Sequence, residues 1–371
     1  MQNTHLYNSP EDLIEKLRPE EPVLCISESK LKEAVKTFIQ GFPGEVLYAV
    51  KANPHPEVIK ALYRAGIHSF DVASLNEIKK IFLLEKKAHC YFNHPIKNSR
   101  AIKESYSIYG LRHFVVDSLS EWEKVMEGTG PDITIEFRLS VRSGSRYFDF
   151  SEKFGMSPEE AIHCIHETQK RKIAWALFFH VSSQSEDITA YKDALELCEK
   201  IIEEVKEKPS FIDVGGGFPC GGEGFSIEKM NEIFNLISQA REKWSFPSLL
   251  CEPGRALVAD AGTLVTQVVT VNKDKLYLND GIYGGLSEVN EIQLNPKVRA
   301  FSLSHSLHEK LKPYRVFGPT CDSIDKLNST FSLPDNLMEG DWVMIPTLGA
   351  YSIALTTHFN GFSSETLYMV D

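Results

Sequence analysis

The chain has 371 residues, with 40 Lys and Arg against 51 Asp and Glu, a formal net charge of −11, and hydrophobic and charged fractions of 42% and 25%. That length suits a barrel of roughly 250 residues plus a smaller companion domain, and the composition is that of a globular chain with a large core. The acidic balance offers no basic field to a nucleic acid or an anionic membrane, and no stretch approaches the ~20 apolar residues needed to span a bilayer.

The opening segment, MQNTHLYNSPEDLIEKL, shows neither an apolar signal core nor an Arg-rich amphipathic pattern, so the expected location is cytoplasmic. A first apolar run at 23–27 reads as a strand. From residue 46 onward, β-rich runs alternate with helical periodicity. The runs are 46–52, 68–74, 89–95, 113–118, 132–139, 173–181, 211–218 and 248–255. Helical spacing of apolar residues marks 76–85, 120–126, 158–169 and 191–207 between them. Eight strand–helix repeats predict an α/β fold, a closed (β/α)8 TIM-like barrel. A doubly wound open sheet is the competing architecture. After about Ala261 the helical period fades. Runs at 263–272, 275–279, 298–304, 314–317 and 341–347 alternate or stay apolar between Gly, Pro and Asn, which predicts a C-terminal β-domain. The expected division is a barrel over 27–262 and a β-domain built from 1–26 plus 263–371.

Seven cysteines, Cys25, Cys90, Cys164, Cys198, Cys220, Cys251 and Cys321, stand singly. Without C-x-x-C or ligand spacing they predict no metal site, and their odd number fits free thiols in a reducing compartment.

The predicted barrel strands end in chemically capable residues: Lys51, Asp71, His94, Asp117, Arg138, His180, the run Gly215-Gly216-Gly217, and Glu252. Any one alone reads as a capping residue or a solvated loop position. Together they fall in phase on the barrel face where this fold places its active sites. Lys51 interrupts an apolar run, where a charged amine is costly unless it snorkels or is consumed covalently; a Schiff base to an aldehyde cofactor removes that cost. The triple glycine alone reads as a tight turn. Followed by Glu252-Pro253-Gly254-Arg255 at the next strand end, it reads as a phosphate cradle of backbone amides plus one guanidinium.

These residues carry a family resemblance. The chain resembles the fold-type III pyridoxal phosphate (PLP) decarboxylases, which act on ornithine, lysine, arginine and diaminopimelate. The motifs are Tyr48-Ala49-Val50-Lys51-Ala52-Asn53, Phe70-Asp71-Val72-Ala73-Ser74 with Glu77, and His94-Pro95-Ile96-Lys97. They continue with His180-Val181-Ser182-Ser183-Gln184, Asp213-Val214-Gly215-Gly216-Gly217-Phe218-Pro219 and Glu252-Pro253-Gly254-Arg255. Asn279-Asp280-Gly281-Ile282-Tyr283-Gly284, Phe317-Gly318-Pro319-Thr320-Cys321-Asp322, Gly349-Ala350-Tyr351 and Phe359-Asn360-Gly361-Phe362 complete the set. Ser182 departs from the pattern, which has glycine there.

The resemblance implies that Lys51 carries PLP, Glu252 pairs with the pyridine nitrogen and His180 stacks on the ring. It implies a phosphate held by Ser183, Gly217, Gly254, Arg255 and Tyr351, with Asp71, Glu77 and Arg138 in support. A carboxylate opposite the ring nitrogen favours decarboxylation over racemisation, because it keeps the electron sink protonated. Cys321 would reprotonate Cα and Asp322 would bind the distal ammonium, both reaching the site of the other subunit of a homodimer. Glu288, with Glu291 as rival, is the expected acidic residue near the distal amine. The segment 140–155 resembles a mobile active-site loop, with a solvated connector as the plain alternative. The implied reaction is decarboxylation of a basic L-amino acid, L-ornithine to putrescine first and L-lysine to cadaverine second. A diaminopimelate, carboxynorspermidine or other specialised decarboxylase is the runner-up. A catalytically inactive regulatory homologue is the alternative of another class.

Overall fold

The computed structural model describes residues 7–144, 149, 151–185, 187–220 and 227–371. Strand β1 (Val23–Ser27) precedes eight short strands: β2 (Glu45–Ala49), β3 (Ser69–Asp71), β4 (His89–Phe92), β5 (His113–Val116), β6 (Thr134–Arg138), β7 (Ala174–Phe178), β8 (Phe211–Asp213) and β9 (Ser248–Cys251). Strands β2 to β9 pair in parallel with their chain neighbours, and β9 closes on β2 through Glu45 opposite Leu250 and Val46 opposite Cys251. This is the expected closed (β/α)8 barrel, and closure rules out the open sheet. Leu47, Tyr91, Ala176, Phe211 and Leu250 from five strands form one buried cluster. The barrel is therefore a packed core and not a pore.

Short sequence signals start the intervening helices. Ser74, Ser118 and Ser157 each accept a hydrogen bond from the amide three residues on, that of Glu77, Glu121 and Glu160. Each cap of this kind contributes about 1 kcal/mol. Glu77 also accepts from the Ala73 amide at 2.6 Å, so the Ser-x-x-Glu spacing fixes the helix Leu75–Leu84 directly behind Asp71.

The expected strand at 46–52 is too long. β2 stops at Ala49, and Val50–Ala52 is a 3-10 turn. The Ala49 amide donates to the Pro253 carbonyl at 3.2 Å, and the Tyr48 hydroxyl donates to the Asn53 carbonyl at 3.0 Å. These bonds turn the chain at the rim, so Lys51 lies on a turn and not inside a strand.

The chain separates into two compact units. The first contains the barrel. The second holds β1 and the strands after residue 255: β10 (Gly262–Asn272), β11 (Lys275–Leu278), β12 (Arg299–Phe301), β13 (Leu311–Phe317), β14 (Lys326–Pro334), β15 (Trp342–Pro346) and β16 (Leu367–Val370). Hydrogen bonds run in the order β12-β15-β10-β11-β13-β14, and β1 pairs antiparallel with β10 and parallel with β16. Leu13 and Ile14, from the helix Pro10–Leu17, pack with Val23, Cys25, Val265, Trp342, Met344 and Val370. β14 and β16 were absent from the sequence reading. β14 keeps the period of two through Leu327, Phe331 and Leu333, but Ser329 takes the remaining inward position and weakens the apolar signal, and β16 is only four residues long. Among the described residues no helix is long and apolar enough to cross a membrane, and no cluster of His, Cys, Asp and Glu has metal-binding geometry.

Candidate active site

At the C-terminal rim of the barrel, the Lys51 ammonium lies 3.3 Å from Asp71 Oδ2. Asp71 is the last residue of β3 and is buried. Glu252 directly follows β9 and is only 3% exposed. Burial, reinforced by Asp71 and Asp213, pushes its carboxyl well above the ordinary range, while the Lys51 ammonium and a hydrogen bond from Asn93 oppose that push. Arg138 ends β6 with its guanidinium 5.3 Å from the ring of Phe178 and 4.7 Å from that of Phe154. Burial holds its pKa below the usual arginine value.

His180 lies two residues beyond β7. Burial, with help from the Arg138 and Lys51 charges, holds its pKa well below 6.5, so the ring is neutral at physiological pH. The Ser182 amide donates to its Nδ1 at 3.0 Å. Nδ1 is then the acceptor and Nε2 carries the proton. Ser182 reaches this position with φ +75°, the left-handed region that favours glycine.

The triple glycine is a packing requirement before it is a ligand site. A Cβ on Gly216 would stand 2.8 Å from the Glu252 carbonyl oxygen and 3.0 Å from His180 Nε2. One on Gly217, whose φ is +91°, would stand 2.2 Å from the Ser182 carbonyl oxygen. The three carbonyls are engaged: Gly215 accepts from the Glu252 amide, Gly216 from the Tyr191 hydroxyl, and Gly217 from the Ser185 amide. The amides of Gly216 and Gly217 donate to no described residue. Undonated amides beside a bare backbone fit an anion of phosphate type. Together with an amine on a turn, a buried carboxylate and a neutral imidazole, they make a donor set that fits PLP. Ser183 lies in the same turn as Ser182, and Gly254 follows the Glu252-Pro253 pair.

In the β unit, Arg255 opens the short helix Arg255–Val258, with its guanidinium 4.7 Å from the centre of the Tyr351 ring. Its Nη2 lies 2.5 Å from Glu288 Oε2, and both side chains are buried. Glu288 is thus engaged with Arg255, a pairing that gives no support to a substrate contact; Glu291 is exposed. Cys321 is exposed, and its amide donates to Asn360 Oδ1 at 3.0 Å. The Tyr283 hydroxyl donates to Asp322 Oδ2 at 2.5 Å, which, with the Ile324 amide, holds the Asp322 carboxyl below its usual range. Buried Asp325 organises this loop, accepting from the Thr320 amide and hydroxyl and from the Ile282 amide.

Four residues escaped the sequence reading: Asn93, Asp213, Tyr283 and Asp325. Tyr283 and Asp213 sit inside quoted motifs, where they passed as flanking positions. Asp325 had a weak signal in the two glycines it touches, Gly281 and Gly318. Asn93 had none beyond a polar residue ending an apolar run. His94 and Asp117 hold the end of the 140–155 segment: His94 meets the Phe154 ring edge-on and Asp117 accepts from the Gly155 amide. Part of that segment, residues 145–148 and 150, lies outside the described residues, as does residue 186.

Comparison with known proteins gives consistent matches. The model of the pyridoxal-dependent decarboxylase pyridoxal binding domain matches residues 28–259. The lysine/ornithine decarboxylase of Selenomonas ruminantium is 31% identical over 353 residues, 92% of this chain and 87% of that one. The ornithine decarboxylase of Schizosaccharomyces pombe is 29% identical, covering 87% of this chain and 77% of that one. Among solved structures, the lysine/ornithine decarboxylase of Vibrio vulnificus in complex with putrescine superposes with a TM-score of 0.83, 29% identity, and coverage of 98% and 99%. With the closed barrel, the separate β-sheet unit and a rim whose donors fit the cofactor, the chain belongs to the fold-type III PLP-dependent amino-acid decarboxylases.

Proposed function

We propose that the chain decarboxylates L-ornithine to putrescine and, as a second substrate, L-lysine to cadaverine, acting in the cytoplasm as a homodimer with two shared sites. The observation that carries this reading is the 318–325 loop, where Asp322, kept ionised by Tyr283, stands next in the chain to the exposed Cys321 thiol. A fixed carboxylate suits a distal ammonium, and a thiol suits proton delivery. The names of the Selenomonas and Vibrio relatives support a basic substrate. Seven unbridged cysteines support a reducing compartment.

On this reading Lys51 carries PLP covalently, Glu252 faces the ring nitrogen, and His180 lies against the ring. Ser183, Gly217, Gly254, Arg255 and Tyr351 hold the phosphate, and Asp71, Glu77 and Arg138 support the group. Bound there, the cofactor supplies an electron sink for the pair left at Cα when carbon dioxide departs. The residues contribute the rest. Neutral His180 packs without adding a cation beside Arg138. Buried Glu252 acts in a low-dielectric rim, where a carboxylate is strongest toward a cationic partner. Cys321 returns a proton to Cα, and Asp322 anchors the far amine. Functionally, the cofactor-binding domain is 27–262 and the β-domain is 1–26 plus 263–371; the family model's span supports that division.

The test is carbon dioxide release from a panel of L-ornithine, L-lysine, L-arginine, meso-diaminopimelate and carboxynorspermidine with purified protein and PLP. The highest kcat/KM is expected for ornithine. Preference for diaminopimelate or carboxynorspermidine overturns the substrate assignment, and binding of PLP without any turnover favours the inactive homologue.

A further inference from the structure

Asn93 is the least expected residue at the barrel rim. It follows Cys90-Tyr91-Phe92, the buried end of β4, and is itself only 5% exposed. Its Oδ1 has no hydrogen-bond partner among the described residues. A buried amide left half satisfied costs stability, and an alanine or valine would end this strand without that cost. Its one hydrogen bond to a described residue explains its presence: Nδ2 donates to Oε1 of Glu252. The two residues directly follow strands three steps apart around the ring, β9 to β2 to β3 to β4, so their side chains meet across the barrel mouth. The amide orientation follows chemically, because a carboxylate accepts and the NH2 end is the end that donates.

We propose that Asn93 is a positioning residue for Glu252, gripping Oε1 so that the carboxylate is held in one orientation and Oε2 is left for the cofactor's ring nitrogen. The proposal rests on the assignment of Glu252 to that nitrogen. Its need is electrostatic. Glu252 is buried and crowded by Asp71 and Asp213, which favour its protonated form, while Lys51, Arg138 and Asn93 oppose them. Lys51 is the residue assigned to carry the cofactor, so its amine has another task. Asn93 has none, and being neutral it adds a donor without adding a charge that would need its own partner.

The experiment compares wild type, Asn93→Ala, Asn93→Asp and Glu252→Ala, each loaded with PLP labelled with 15N at the ring nitrogen. The readouts are the nitrogen chemical shift, kcat and KM for ornithine, and thermal unfolding without cofactor. Asn93→Ala is expected to move the nitrogen signal part of the way toward that of Glu252→Ala and to lower kcat about tenfold with KM changed less than twofold, the loss appropriate to one hydrogen bond to a charged group. Asn93→Asp keeps the shape and replaces the donor by a further carboxylate. It is expected to lower kcat more than the alanine at neutral pH and to recover as the pH falls. If Glu252→Ala leaves the nitrogen signal at its wild-type position, the assignment of Glu252 fails and the proposal fails with it. If Glu252→Ala moves the signal but both folded Asn93 variants keep the wild-type shift and kcat, the assignment stands and the role of Asn93 is overturned.

Discussion

In the barrel, Glu252 at the rim and Asp213 and Glu136 on their strands are buried, and burial pushes each carboxyl well above its ordinary pKa. Neither oxygen of Glu136 has a hydrogen-bond partner among the described residues. In the β unit, Asp322 stands in a loop, and a tyrosine hydroxyl and a backbone amide hold its carboxyl below the ordinary range. The same chemical group is thus prepared for opposite tasks. The barrel makes a dry, polarising environment in which protonation depends on neighbours. The loop keeps its carboxylate ionised, as the proposed role of binding a distal ammonium requires. Environment, not residue type, divides the work.

The comparison breaks most completely if the two regions do not serve one reaction. Lys51→Ala should lower turnover by roughly 10^4-fold or more, and borohydride should no longer fix PLP to the chain. Cys321→Ala should be nearly inactive as well. Mixing the two should recover about a quarter of wild-type activity, because half of the dimers are mixed and one of their two sites receives neither defect. Subunit exchange confirmed by tagged pull-down, with no recovered carbon dioxide release, would exclude a site shared between subunits.

Glu288 sharpens the contrast from the β side. Its burial against Arg255 makes it the counter-charge of a group assigned to phosphate. Removing one member of a buried pair typically costs about 3–5 kcal/mol. Glu288→Gln should therefore lower the stability of the cofactor-free protein by about that amount, read from urea unfolding. A residue that contacted only substrate would instead leave that curve in place and raise KM for ornithine.

The difference between the two regions also explains what could be read in the sequence. The barrel announced itself because eight β-rich runs alternate with helical spacing, and because the polar strand ends share one phase. The β unit was legible only as a change of period at about Ala261. Its pairings, such as β1 between β10 and β16, join residues more than 200 apart, and no local pattern encodes them. Lys51, His180 and Glu252 were legible because motif and strand end coincide. Asn93 and Asp325 were not: Asn93 matters through one contact to Glu252, far along the chain, and Asp325 through several bonds to Thr320 and Ile282 that no motif marks. Glu288 stood out as an acid in a suggestive place, and only burial reveals its pairing.

Asp280 tests whether burial or domain decides the direction of these shifts. It belongs to the β unit but is buried, and burial pushes its carboxyl up to about 6 although the Gly281 and Gly285 amides donate to it. A folded-state pKa above the unfolded value means that folding favours the protonated form. The associated stability is present at low pH and lost as pH rises through about 6. The wild-type chain should therefore lose about 3 kcal/mol relative to Asp280→Asn between pH 3 and pH 7. Urea midpoints of both proteins at the two pH values give the difference. A constant difference would mean that the two glycine amides fully offset burial.

The smallest effect concerns Ser182, where the barrel rim carries backbone strain. A non-glycine residue at φ +75° costs about 1–2 kcal/mol. Replacing it by glycine removes that strain but loosens the unfolded chain, which costs about 0.4–1 kcal/mol in return. The net gain for Ser182→Gly is thus about 0.5 kcal/mol, a rise of about 1 °C in Tm for a chain of this size. The bond to His180 Nδ1 should survive, because its donor is the backbone amide, so kcat should stay within twofold of wild type. Ser182→Pro provides the opposing case: it lacks the N–H and cannot reach a positive φ, so it should lose both stability and activity. A loss of more than 1 kcal/mol in the glycine variant would show that the Ser182 hydroxyl makes a contact worth more than the strain its backbone carries.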